Sequence, residues 1–141
     1  MLCNRIAKIT NDIDPAMGAD FQMDALAFLG TFADQSVDFV LYDPPYSPRQ
    51  VSECYKRLGM TVNMQTTQAS FWGNLKKEIA RITSPGGFVL SFGWNSNGIG
   101  KGHGFDLIEL VMVAHGGQHN DTICTVERKR IIETLFNQAS E

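Results

Sequence analysis

The stretch Asp43-Pro44-Pro45-Tyr46 carries the clearest chemical signal in the chain. Because proline rings fix φ, the two prolines stiffen this turn and hold the Asp43 carboxylate and the neighbouring main-chain carbonyls in place. A carboxylate and a rigid carbonyl together accept both hydrogens of an exocyclic amino group and stabilise positive charge that develops on its nitrogen. Tyr46 adds a flat ring on which a base can stack. The stretch therefore predicts chemistry at an amino group, with a proline-rich turn and a helix-capping aspartate as the structural alternative.

The surrounding pattern places this turn at the edge of a predicted α/β sheet. Residues 37–42 form a nearly continuous apolar run, which is typical of a strand inside a parallel sheet with helices on both faces. Prolines cannot extend a central strand, so we expect Asp43 at its carboxyl edge. Similar patterns predict strands at residues 6–10, 88–92, 107–114 and 122–126, and helices at residues 24–32, 49–58, 71–82 and 129–138.

The alternation of these elements, without repeats or linkers, predicts one doubly wound α/β domain over residues 1–141. The short connection between the last two strands favours an antiparallel pair at a sheet edge. A chain that is 43% hydrophobic can bury a core of this size, and its net charge of −3 excludes a protein that grips nucleic acid by bulk charge alone.

The predicted compartment is the cytoplasm. No apolar run approaches the roughly 20 residues of a membrane span, and Arg5 comes too early for a secretory signal. Three widely spaced cysteines favour free thiols in a reducing environment. His115, His119 and Cys124 include a spacing found in zinc sites, but the further ligands of a structural site are not visible. A polar loop is the favoured interpretation, and no metal is predicted.

Residues 43–50 read Asp-Pro-Pro-Tyr-Ser-Pro-Arg-Gln and resemble the catalytic motif of amino-group methyltransferases that use S-adenosylmethionine. The resemblance is strongest to the DNA adenine-N6 methyltransferases, above all the small phage and mobile-element type. Residues 85–87 resemble the turn before the family's fifth strand, and residues 105–129 resemble its final antiparallel pair. The resemblance implies a Rossmann-like class I sheet, S-adenosylmethionine as cofactor, methyl transfer to adenine N6 in DNA, and Asp43 to Tyr46 as the catalytic residues.

The resemblance also implies a set of cofactor-binding residues near the N-terminus. Asp12, with Asp14 as second choice, matches the acidic residue that ends the family's second strand and binds the ribose hydroxyls. Asp24 and Ala25 match the segment that meets the adenine amino group of the cofactor, although Asp24 also reads as a simple helix N-cap. Asn4 matches the tail of the cofactor loop.

The substrate side follows from the need to extrude a base from duplex DNA and enclose it. Tyr46 is the predicted stacking platform, Trp94 or His119 the opposite wall, and Ser47 a further contact. Candidate phosphate contacts, or alternatively a solvated surface, are Arg49, Lys56, Arg57, Lys76 and Lys77. Residues 47–68 are the predicted lid, and the glycine-rich residues 97–102 lack phosphate-loop spacing but lie where a substrate channel would open.

One departure from the family concerns its first strand. Only residues 1–5 precede the region that matches the second strand, so the first strand and most of the cofactor loop are expected to be missing. A homodimer or a partner chain would then supply the strand, or the flanking strands would pair directly. Two other hypotheses stay open: a catalytically silent binding or assembly module of the same fold, and an RNA guanine-N2 methyltransferase, whose chemistry uses a related Pro-Pro-aromatic turn.

Overall fold

A mixed four-stranded sheet forms the centre of the computed structural model, which describes residues 6–61, 69–117 and 120–132. The strands are β1 (Val37–Tyr42), β2 (Thr83–Gly93), β3 (Phe105–Val113) and β4 (Thr122–Lys129), in the spatial order β1-β2-β4-β3. The first two strands are parallel, and β4 pairs antiparallel with both β2 and β3. The predicted α/β class and the antiparallel pair at a sheet edge are confirmed.

The described residues form three helices beside the sheet: α1 (Ala25–Leu29), α2 (Pro48–Arg57) and α3 (Ala69–Ile82). Short 3-10 turns add Pro15–Met17 and Lys101–His103. The main-chain amides at the start of α1 donate to the Asp24 side chain, and those of α2 to Ser47, with Pro48 in the first turn where its missing N–H costs nothing. The predicted helices at residues 24–32, 49–58 and 71–82 are confirmed, the first over a shorter length.

The core lies between α3 and one face of the sheet. Leu75, Ile79 and Ile82 recur at helical spacing on α3 and are buried against Val89 of β2. Leu29, Ile99 and Phe105 complete the cluster. In the described ranges no helix is long and apolar enough to cross a membrane.

The prediction that residues 37–42 lie inside the sheet is wrong for the part of the chain that the structure describes. There β1 pairs only with β2, and Phe39 is 50% exposed on the face opposite α3. The register shifts just after Val37, where a Cβ at Gly87 of β2 would stand 3.0 Å from the Asp38 carbonyl oxygen of β1, so glycine lets the two strands approach closely.

Two further elements differ from prediction. Residues 6–10 were expected to be a strand, but the Thr10 amide and hydroxyl both donate to the Asp20 carboxylate, and the nearest β contact is an isolated bridge between Asn11 and Phe21. Strand propensity alone does not form a strand that has no neighbouring strand with which to pair. The helix predicted for residues 129–138 does not begin at residue 129, because Lys129 is the last residue of β4. Residues 133–138 lie outside the described ranges.

Candidate active site

The Asp43–Tyr46 turn follows β1 directly and is fixed by its own side chains. The Tyr46 hydroxyl donates to Asp43 Oδ1 at 2.7 Å, and the Tyr46 amide donates to Gln50 Oε1 at 2.6 Å. The main-chain N–H of Gln50 in turn donates to the Ser47 hydroxyl at 3.2 Å, and this bond caps α2. This exchange resembles a capping box, so the turn and the start of α2 form one hydrogen-bonded unit. The prediction that Asp43 stands at the carboxyl end of the strand is confirmed.

Helix α3 holds the same turn from the other side. The Trp72 indole N–H donates to the carbonyl oxygen of Pro45 at 3.0 Å. This bond engages the Pro45 carbonyl. Sequence reasoning assigned Trp72 only to the apolar side of its helix. The signal it missed is that a partly buried indole N–H needs an acceptor.

A cavity of about 330 Å³ opens beside the turn, a size at the lower end for small-molecule sites. The Tyr46 and Trp94 rings meet at its wall edge to face, with centroids 5.6 Å apart. The structure therefore brings together two residues that the sequence proposed as opposite walls of a base pocket. The lining combines aromatic rings with a few polar groups and includes Tyr42, Pro44, Pro45, Tyr46, Trp72, Lys76, Ser91, Trp94 and Asn97.

Burial sets the protonation of the polar groups around the cavity. It raises the pKa of Tyr42, and it also raises the pKa of Tyr46, with the hydrogen bond to Asp43 as the second cause. Both phenols therefore stay neutral and able to donate at physiological pH. Burial lowers the pKa of Lys76, and the charge of Glu127 partly opposes that shift. Lys76 was predicted as a phosphate contact but faces the cavity.

Glu127 fixes the glycine-rich loop that closes the cavity. Its buried carboxylate accepts from the amides of Ile99 at 2.6 Å and Gly100 at 2.8 Å. Gly98 has φ +50°, and a Cβ there would overlap the same carboxylate. The loop borders the cavity through Asn97 and Gly98, as expected for a channel wall. No signal in the sequence indicated the role of Glu127, which lies just after the strand predicted at residues 122–126.

The acidic residues predicted for the cofactor lie on two segments that the Asn11 side chain joins. The Asn11 amide group donates to the Met23 carbonyl and accepts from its N–H, both at 3.1 Å. This exchange holds the stretch that begins at Asp12 beside Asp24, whose Oδ1 accepts two amides of α1 as the capping alternative predicted. Ala25 is the first residue of that helix.

Asp14 is committed to the structure more fully than Asp12. Its Oδ1 accepts from the Ala16 amide at 2.9 Å, and its Oδ2 pairs with Arg57 at 2.7 Å. Asp12 accepts the Asp14 amide at 2.7 Å through Oδ1. Both carboxylate oxygens of Asp14 are therefore engaged, one of them by the largely exposed Arg57, which agrees with ranking Asp12 ahead of Asp14 as the ligand-binding residue.

The remaining residues predicted for the site either bond other parts of the protein, are exposed, or lie outside the described ranges. Arg49 pairs with Glu53 at 2.8 Å, while Lys56 and Lys77 are exposed. Asn4, His119 and residues 62–68 of the predicted lid lie outside the described ranges; the rest of that lid is largely α2. His115 contacts the Thr122 hydroxyl at 3.0 Å, and the described residues hold no group of three or more potential metal ligands.

The α/β sheet, with the Asp43 turn at the carboxyl end of β1, matches solved structures that share a Rossmann-like fold. A DNA modification methylase candidate from Thermus thermophilus, TTHA0409, matches with a TM-score of 0.50 and 17% identity over 82% of this chain. Its complex with S-adenosyl-L-methionine matches with a TM-score of 0.51 and 15% identity, again over 82% of this chain. TrmN from Thermus thermophilus gives a TM-score of 0.51 and 21% identity over 84% of this chain.

At these identities the likeness shows the shared fold. The matched region covers 54% of TTHA0409 and 35% of TrmN, so this chain spans about half of the former and a third of the latter. No family model and no curated protein matches the chain.

Proposed function

We propose that this chain is the catalytic core of an S-adenosylmethionine-dependent methyltransferase that acts on an exocyclic amino group, with N6 of adenine in DNA as the acceptor. The observation that carries the proposal is the Asp43 carboxylate at the end of β1, in a turn held by both α2 and α3 beside a cavity with aromatic walls. The fold shared with TTHA0409, whose complex contains S-adenosyl-L-methionine, supports the choice of cofactor.

The turn supplies two hydrogen-bond acceptors for the amino group. Tyr46 engages Asp43 Oδ1, so Oδ2 and the Pro44 carbonyl can each accept one amino hydrogen. Holding both hydrogens directs the nitrogen lone pair away from the turn, toward the methyl donor. In the transfer the N–C bond would form as the methyl–sulfur bond of the donor breaks and leaves a neutral thioether. The fixed carboxylate would stabilise the positive charge that develops on the nitrogen. The surplus proton then leaves the nitrogen, with Asp43 as its nearest acceptor.

The acidic segments fit a nucleoside cofactor by the chemistry of their side chains. Carboxylates accept from ribose hydroxyls and from an exocyclic amine, and Asn11 holds the segments that carry Asp12 and Asp24 side by side. Bound S-adenosylmethionine would supply an activated methyl group on a sulfonium centre. We assign Asp12 to the ribose hydroxyls and Asp24, with Ala25, to the adenine.

DNA is the proposed partner, and the target base must leave the helical stack to reach Asp43. Tyr46 and Trp94 would form one aromatic wall against the extruded base, since their rings contact each other edge to face at the cavity wall. Exposed Lys56 and Lys77 remain proposed contacts to phosphate.

Two measurements on the intact chain test this function: calorimetric titration with S-adenosylmethionine and transfer of labelled methyl groups to DNA. We expect Asp43→Ala to lower the transfer rate by about 10²–10³-fold, the typical effect of removing one charge-stabilising group. Asp38→Asn is the matched control, because Asp38 lies on β1, the strand that leads to Asp43, but bonds Ser84 instead of the turn. No cofactor binding at millimolar concentration would overturn the proposal, and transfer to RNA alone would favour guanine-N2 chemistry.

The open edge of β1 favours a second candidate function. In the described residues β1 is paired on one side only, and Phe39 beside it is half exposed. A binding or assembly module that receives a strand from a second copy or a partner chain would use this edge without catalysis. Cofactor binding with no methyl transfer to DNA or RNA, together with dimers in light scattering, would support this module over the enzyme.

A further inference from the structure

Three hydroxyl side chains stand in one row across the sheet. Tyr42 of β1 is in register with Ser91 of β2, and Ser91 is in register with Thr125 of β4. Residues in register on adjacent strands point to the same face, about 5 Å apart. The row lies one residue before Asp43, at the ligand edge of the sheet.

Each of these hydroxyl oxygens is buried and has no hydrogen-bond partner within the described ranges. Buried polar atoms are satisfied in more than about nine cases of ten, so three adjacent exceptions in one register row call for a reason. Ser91 is only 6% exposed and Thr125 1%, so bulk water does not solvate them.

Two members of the row, Tyr42 and Ser91, line the cavity, whereas Thr125 does not. The ammonium group of Lys76 lines the same cavity and can only donate hydrogen bonds. A hydroxyl can donate as well, and the raised pKa of Tyr42 keeps its proton in place. Pro44, Pro45 and Tyr46 line the cavity and Asp43 does not, so the cavity places hydroxyl and ammonium donors beside the Asp43 turn.

This distribution matches one kind of base edge. In adenine the amino group is flanked by N1 and N7, both acceptors, whereas the amino group of guanine is flanked by the N1–H donor and the N3 acceptor. We propose that the Tyr42 and Ser91 hydroxyls bond the ring-nitrogen acceptors beside the amino group of the target base, which makes them specificity-determining residues for adenine over guanine. This inference rests on the proposed function, because it identifies the acceptor of the same site.

Both tryptophans of the chain, Trp72 and Trp94, line the cavity, so intrinsic fluorescence reports on it directly. The experiment titrates the full chain with adenosine, 1-deazaadenosine, 7-deazaadenosine and guanosine and follows indole emission. We expect adenosine to bind about tenfold more tightly than guanosine and several-fold more tightly than at least one deaza analogue, which lacks one ring nitrogen.

The variants Tyr42→Phe and Ser91→Ala should each weaken adenosine binding about fivefold and abolish the preference over the matching deaza analogue. They should not lower the melting temperature, because each removes a buried hydroxyl that bonds nothing in the free protein; a structural hydroxyl would lower it. Thr125→Val is the matched control from the same row but outside the cavity, with adenosine affinity changed less than about twofold.

Equal binding of adenosine and both deaza analogues by the wild type, or an equal loss in Thr125→Val, would overturn the inference even if methyl transfer to DNA is found. Conversely, hydroxyl-dependent discrimination without methyl transfer would sustain the adenine site and overturn the proposed function. The two failures are therefore distinguishable.

Discussion

The Asp43–Tyr46 turn and the acidic segment at residues 11–24 are both rich in polar groups, yet contacts from different parts of the chain hold them in place. The turn is tied to three separate parts of the chain, since Gln50 of α2 and Trp72 of α3 bond its main chain and Trp94 packs on its tyrosine. Contacts from distant elements fix the position of a side chain before any ligand arrives, which is what charge stabilisation in a reaction requires.

The acidic segment, by contrast, is shaped mostly by contacts within itself, which include the two bonds between Asn11 and Met23. Asp12 bonds the Asp14 amide, Asp14 caps the turn after it, and Asp24 caps its own helix. The ion pair between Asp14 and Arg57 connects this segment to α2. The comparison teaches that a reacting group and a binding segment need different degrees of fixation, and each of the following predictions tests that difference.

The largest expected effect comes from the loop that closes the cavity. Glu127→Ala leaves the buried amides of Ile99 and Gly100 without their acceptor and removes two charge-assisted hydrogen bonds. We expect the free energy of unfolding in urea to fall by about 3 kcal/mol. Glu109→Ala, on the exposed strand β3, is the control and should cost less than about 0.5 kcal/mol. Similar losses in both variants would show that the loop is not fixed through Glu127.

The next effect concerns the acidic segment. Asp14→Ala removes a turn cap and the partner of Arg57, and we expect a loss of about 1–2 kcal/mol in unfolding free energy. Arg57→Met, which removes the ion pair alone, should cost less than about 1 kcal/mol because the arginine is largely exposed. Neither variant should change the tryptophan emission of the cavity; a clear change would show that the two regions are coupled and would break the comparison.

A smaller effect should follow from loosening the turn itself. Trp72→Phe keeps most of the ring but removes the indole donor to Pro45, so we expect about 1 kcal/mol less unfolding free energy and faster amide exchange at Tyr46. Trp94→Phe keeps an aromatic wall and is the control for ring size. If amide exchange at Tyr46 rises equally in both variants, the hydrogen bond from α3 does not hold the turn.

The parts of the molecule that local chemistry determines were predictable from sequence. The cap at Asp24, the apolar spacing along α3 and the placement of Asp43 after a strand all depend on neighbouring residues, and the structure has them as expected. The strand predicted at residues 6–10 failed because a strand exists only where another strand pairs with it, and the contact of Thr10 with Asp20 formed instead.

The parts that depend on strand register were not predictable. The hydroxyl row of Tyr42, Ser91 and Thr125 exists because three strands distant in sequence align in one register, and no local pattern announces that alignment. The same holds for Glu127, whose carboxylate meets a loop 28 residues away. The sequence therefore predicted the Asp43–Tyr46 turn of the candidate site, but it did not predict the row of hydroxyls, two of which form the floor of the cavity.

The smallest expected effect is on the unfolding free energy at alkaline pH, where Tyr42 at the cavity and Tyr55 near the acidic segment should contribute differently. Burial raises the pKa of Tyr42 at the cavity and of Tyr55 near the acidic segment, so above about pH 10 the unfolded chain loses phenolic protons that the folded chain keeps. Unfolding free energy then falls as pH rises, by at most about 1.4 kcal/mol per pH unit for each tyrosine. Tyr42→Phe should flatten this decline between about pH 10 and 11 in urea titrations, and Tyr55→Phe should flatten it less, because Tyr42 is shielded by sheet and helix. Parallel curves for Tyr42→Phe and wild type would mean that water reaches the Tyr42 hydroxyl, which would also remove the burial on which the proposed cavity floor depends.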